Sequence, residues 1–134
     1  MTVDSGAGKS VIGEADVANL GIEKGKRTGC KYEVANGNII YNKGEKKCAI
    51  VTQETTNPRQ MTLQVSDVHK GLLSVVELDK KGQRVVFDSN WSYIQDKSTG
   101  SCDSLVQTDD AFELVTLVKP INQVKSEDFD RPGR

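Results

Sequence analysis

The residues best suited to chemistry lie near the start of the chain, where Thr2-Val3-Asp4-Ser5-Gly6-Ala7 carries an apolar strand end into an acidic turn. An aspartate at such a turn sits beside backbone N–H groups. Gly6 lets the backbone approach closely, and Ser5 adds a hydroxyl that can bond locally or across an interface. A carboxylate so placed can move protons as a general acid or base. Asp-Ser-Gly alone also describes a plain turn, because these are common turn formers. A rival chemistry overlaps it, since Gly8-Lys9-Ser10 ends like a phosphate-binding loop. The spacing opposes that nucleotide-binding alternative: the glycine required five residues before Gly8 is Val3. His69, the sole histidine, has no evident Ser or Cys partner and reads as a surface or strand-end residue.

The elements that must hold these residues are mainly strands. Apolar alternation broken every few residues by Gly, Asn, Asp and Pro predicts short strands joined by tight turns. The strongest local signal is Asn36-Gly37 between Lys31-Tyr-Glu-Val-Ala35 and Asn38-Ile-Ile-Tyr41. Asn-Gly suits a two-residue type I′ hairpin, which would set Val34 opposite Ile39 and Tyr32 opposite Tyr41. Further strands are expected at 47–51, 61–65, 84–88, 93–96 and 112–118. Helical signal is limited to short pieces within 10–20 and 74–81. Asp88-Ser89-Asn90 and Asp103-Ser104-Leu105 lack the glycine and read as ordinary turns.

Composition narrows the partners. The 134 residues fit one domain, and a formal net charge of -1 with interspersed signs gives no broad field to attract nucleic acid or anionic lipid. No apolar run approaches the ~20 residues of a membrane span, so no membrane partner is expected. Cys30, Cys48 and Cys102 are odd in number and form no CxxC pair. They predict neither disulfides nor a zinc site, and read as small buried hydrophobes in a reducing, cytoplasmic setting. No metal or other cofactor is expected. From Lys119 to Arg134 the chain turns polar, predicting a tail or linker after a domain at 1–118.

Taken together, several segments resemble the retropepsin-like aspartic proteases, in particular those of copia-type retrotransposons. Val3-Asp4-Ser5-Gly6-Ala7 followed by Ser10-Val11-Ile12 resembles their active-site segment. Val34-Ala35-Asn36-Gly37-Asn38-Ile39-Ile40, with Gly44 after it, resembles the flap hairpin that closes over bound peptide. Val65 to Val75, containing Leu72-Leu73-Ser74, and Gly82 to Asp88 resemble the late segment of an apolar pair, short helix and strand. Lys97-Ser98-Thr99-Gly100 falls at a charged turn of that group, so the likeness runs from Thr2 to about Val118 in the family's order. Ser74 follows the apolar pair where many retropepsins have glycine. Only three residues precede Asp4, which leads us to expect an unpaired edge beside the active-site strand.

The resemblance implies an all-β, closed β-barrel with a flap hairpin and one or two short helices. It implies an aspartic endopeptidase in which Asp4 of two copies shares a water in a homodimer, acting on an extended polypeptide such as a retrotransposon polyprotein. Ser5, Gly6 and Ala7 would hold the active-site turn, and Ala35, Asn36, Gly37 and Asn38 the flap tip. Ile39, Leu72 and Leu73 are candidates to line substrate pockets, since an extended peptide offers side chains to opposite faces. The alternative on the same fold is an inactive remnant that serves only as a dimerisation module.

Overall fold

The computed structural model describes residues 1–33, 37–53 and 58–121. Its elements are mostly short strands: β1 (Thr2–Asp4), β2 (Val11–Gly13), β3 (Lys31–Glu33), β4 (Ile39–Tyr41), β5 (Gly44–Val51), β6 (Arg59–Ser66) and β7 (Leu72–Ser74). They continue with β8 (Gln83–Val86), β9 (Tyr93–Asp96), β10 (Cys102–Ser104), β11 (Val106–Gln107), β12 (Phe112–Glu113) and β13 (Leu117–Pro120). Helix is confined to α1 (Glu14–Val17), which runs into a 3-10 turn at Ala18–Leu20, and α2 (Val75–Lys80). The fold is therefore mainly β, as the alternation predicts.

Eight strands form one curled sheet in the order β11-β12-β1-β7-β2-β6-β5-β13. Among the described residues this sheet is a curled half-barrel with β11 and β13 at its ends. The feature that matters for the site is the crossing at the centre. β7 runs parallel to β1 (Thr2↔Leu72, Val3↔Leu73, Asp4↔Ser74) and meets β2 antiparallel at Val11↔Leu72. It thus lies between two strands that are consecutive in sequence. β12 pairs with the other side of β1 (Thr2↔Glu113), so the expected unpaired edge beside Asp4 is absent among the described residues.

The long antiparallel hairpin of β5 and β6, extended by β13, carries much of the core. Ile50, Met61, Leu63 and Val65 meet Leu73, Leu78 and Ile94 there, all with 2% or less of their surface exposed. Burial at this level is worth roughly 1.5–3 kcal/mol per side chain, which is what holds three-residue strands in place. β13 extends to Pro120, pairing Lys119 with Ala49 and Pro120 with Cys48. β13 thus continues two residues past 118, and 122–134 lie outside the described residues.

The strand expected over 112–118 is two strands, because Leu114 turns inward between β12 and β13 and is buried. Asp103 is no turn residue. It lies in β10, fully buried, where its carboxylate pairs with Arg59 and accepts the Thr52 hydroxyl. Arg59 is fixed in turn by donating from Nε to Gln83 Oε1 at 2.8 Å. Of the cysteines only Cys48 is buried; Cys30 is exposed and Cys102 intermediate.

Candidate active site

Asp4 closes β1 level with Ser74 of β7. Its Oδ1 accepts the Gly6 N–H at 2.7 Å, so the carboxylate is oriented by its own turn. A Cβ at Gly6 would stand 3.3 Å from that same oxygen, which is tight, and glycine leaves the carboxylate uncrowded.

The segment from Ser5 to Ser10 is held from beneath by a ring of hydrogen bonds. Ser74 Oγ donates to the Ala7 carbonyl at 2.7 Å, and the Ser74 N–H donates to Ser10 Oγ at 3.0 Å. The Ser10 N–H donates to the Glu77 carboxylate, and the Glu77 N–H closes the ring on Ser74 Oγ at 3.2 Å. Ser10 and Ser74 are wholly buried, so these bonds are sheltered from competing water. Ser74 is also the N-cap of α2. Ser74-Val-Val-Glu77 has the spacing of a capping box, in which the glutamate would reach back to its own cap residue. Here it reaches instead to Ser10, because Ser10 Oγ already serves the Ser74 N–H.

Asp4 opens onto a cavity of about 470 Å³. Ala7, Lys9, Val11 and Leu72 line it on the sheet side, and Tyr32 and Ile40 of the β3–β4 hairpin face them across it. The base of that hairpin is clamped by Asn42, which is buried. Its side-chain amide donates to Gln64 Oε1 at 2.8 Å and Tyr32 Oη at 3.0 Å, while its Oδ1 accepts the Gly44 N–H. A second hollow of about 570 Å³ shares Ile40 and Val68 with the first and adds Glu14, Asn38, Ile39 and His69.

No family model, curated protein or solved structure matches the chain. The site therefore stands on its own geometry.

That geometry brings some of the expected residues together and separates others. Asp4, Gly6, Ala7 and Leu72 share the cavity, whereas Ser5 is exposed and makes no side-chain hydrogen bond among the described residues. Leu73 points the other way and is fully buried in the core. The hairpin forms, but its register is one residue from the expected one: Tyr32 pairs with Ile40 and Glu33 with Ile39. Strand alternation then sends Ile40, not Ile39, toward the cavity, and Ile39 is left 56% exposed beside the second hollow. Gly37 has a φ of 84°, and a left-handed glycine is compatible with more than one hairpin loop length. Asn38 is exposed at the hairpin end; Ala35 and Asn36 lie outside the described residues.

Gly8-Lys9-Ser10 leads into strand β2 rather than a helix, so the helix N-terminus that a phosphate loop needs is not present at this turn. Among the described residues no group of three metal-ligating side chains gathers, and no helix is long and apolar enough to cross a membrane. Two residues that matter were passed over in the sequence. Asn42 is an isolated asparagine whose partners lie 10 and 22 positions away, and Glu77 binds Ser10 from 67 positions away. Only the Ser-x-x-Glu spacing at 74–77 was available as a signal.

Proposed function

We propose that the chain is a retropepsin-like aspartic endopeptidase that works as a homodimer, one Asp4 from each copy forming the catalytic pair. The observation that carries this reading is the placement of Asp4. It sits on a pinned turn at one wall of a cleft whose opposite wall is an antiparallel hairpin. A groove between a sheet and a hairpin accepts an extended peptide, whose side chains alternate between the two walls.

The chemistry follows from pairing. In aspartic proteases generally, two carboxylates held about 3 Å apart cannot both ionise and so share one proton. The ionised partner takes a proton from the water that attacks the scissile carbonyl, and the protonated one gives its proton to the carbonyl oxygen. The proton belongs to the pair, so neither copy is permanently the acid. The chain contains one Asp-Ser-Gly, so a single copy supplies one carboxylate of the two. Ser5, exposed beside Asp4, is free to bond across the two-fold axis.

Cleavage of a peptide library at mildly acidic pH tests the reading. Wild-type protein should cut, a peptide-like aspartic protease inhibitor should block it, and Asp4→Asn should lower turnover by at least about 10²-fold while the dimer persists in sedimentation. Specific activity should rise with protein concentration as monomers pair. A chain that dimerises and leaves every peptide intact is the inactive module instead.

A further inference from the structure

Two cationic side chains share the cleft with Asp4. Lys9 lies five residues beyond it, and Lys9 and Val11 line the cavity while Ser10 and Ile12 are buried behind them. Arg27 reaches the same cavity from a turn fixed by hydrogen bonds from Thr28 N–H to the Gly25 carbonyl at 3.2 Å and from Cys30 N–H to the Arg27 carbonyl at 2.9 Å. Both side chains are exposed, and among the described residues neither is in an ion pair.

The acidic groups nearby are differently placed. Glu14 of the second hollow, and Asp67 beside it, are held by Lys43 at 2.9 and 3.6 Å. Glu33 also lines the cleft, from the end of β3, where it pairs with Ile39. The other acid of the cleft is Asp4. Lys9 and Arg27 are in no ion pair with either acid among the described residues, so both are available to a carboxylate on a bound peptide.

We propose that the cleft selects extended peptides bearing an Asp or Glu side chain close to the bond held at Asp4, with Lys9 and Arg27 as specificity-determining residues. The proposal rests on reading the Asp4 cavity as a peptide-binding cleft. Val11, Ile40 and Leu72 give it apolar walls, so apolar side chains flank the acidic one. A substrate carboxylate gains from the two cations only while ionised. The preference for Glu over Gln is therefore present above the free side-chain pKa of ~4.3 and fades as pH falls below it.

The test uses matched peptides differing by Glu against Gln, measured as kcat/KM at pH 6 and pH 4. Wild-type protein should favour Glu by roughly three- to tenfold at pH 6 and by roughly two- to fourfold at pH 4, where about a third of the free side chains are still ionised. Lys9→Glu and Arg27→Glu should each cut or reverse that preference and improve the matching Lys peptide. The same peptides, labelled for fluorescence anisotropy, should bind Asp4→Asn protein with the same order of preference. Cleavage with equal rates for Glu and Gln would overturn the proposal and leave the protease reading standing. Absence of cleavage together with Glu-selective binding that depends on Lys9 and Arg27 would remove the protease reading and leave the cleft's selectivity. Binding without selectivity would overturn the selectivity too.

Discussion

The Ser74 hydroxyl and the Ala7 carbonyl, 67 residues apart in sequence, meet at 2.7 Å. Through this bond the start of α2 carries the turn that presents Asp4. The same oxygen caps the helix by accepting the Glu77 N–H, so one side chain serves both the turn and the helix end.

Ser74→Ala removes both bonds. The lost cap and the unsatisfied Ala7 carbonyl should together lower stability by about 2 kcal/mol, read as a fall in the urea midpoint. Ser74→Thr keeps the hydroxyl and should restore most of it. On the proposed peptidase reading, turnover should follow the same order, since the turn loosens only in the alanine variant.

Arg59 and Asp103 form an ion pair in which the side chains are 8% and 1% exposed. Removing one partner strands a buried charge, so Arg59→Met should cost about 3–5 kcal/mol. Adding Asp103→Leu should recover much of that loss, giving a strong coupling in a double-mutant cycle by chemical denaturation. A loss under ~1 kcal/mol in the single variant would show that water reaches the stranded carboxylate.

Gly37 holds a φ of 84°, and a Cβ there would meet nothing within 4 Å among the described residues. The barrier to substitution is thus the backbone alone, about 1–2 kcal/mol for a branched residue in the left-handed region. Gly37→Val should distort the hairpin end and lower the melting temperature by a few degrees, and on the proposed peptidase reading it should reduce kcat/KM. Gly37→Asn, which tolerates this conformation, should be nearly silent. Unchanged turnover in the valine variant would separate the hairpin from function.

The Asp96 carboxyl is held below the usual carboxylate range, first by the Ser98 hydroxyl and then by the Ser98 N–H. Because the folded pKa is the lower one, the ionised form favours folding. That contribution is present above the unfolded value of ~3.9 and is lost as pH falls through the folded one. The melting temperature of wild type should exceed that of Ser98→Ala by a constant margin from pH 7 to about pH 5, and the margin should close below about pH 4.

How much of this was legible depended on how local each signal was. Asn36-Gly37 marked the hairpin because turn chemistry is written in adjacent residues, yet its register was missed by one, since Gly37 alone permits more than one loop length. β9 was read at Tyr93–Asp96 because Tyr93 and Ile94, both strand formers, stand between turn formers on either side. The crossing of β7 was not legible: β1, β2 and β7 have three residues each, too few for periodicity, and their partners lie far along the chain. The family likeness pointed to Asp4, but nothing in the residues named Asn42 or Glu77. Asp103 misled because a strand aspartate paired to a distant arginine looks, in sequence, like any turn aspartate.

The threading of β7 between β1 and β2 also sets an order of events during synthesis. The amino-terminal strands leave the ribosome first, but the turn between them lacks its supports until Ser74 and Glu77 follow, 67 residues behind Ala7 and Ser10. At ~5–20 residues per second that is a wait of roughly 3 to 13 s. Throughout that interval Asp4 belongs to a nascent chain without its cleft, which arises only after the segment that completes it has been made.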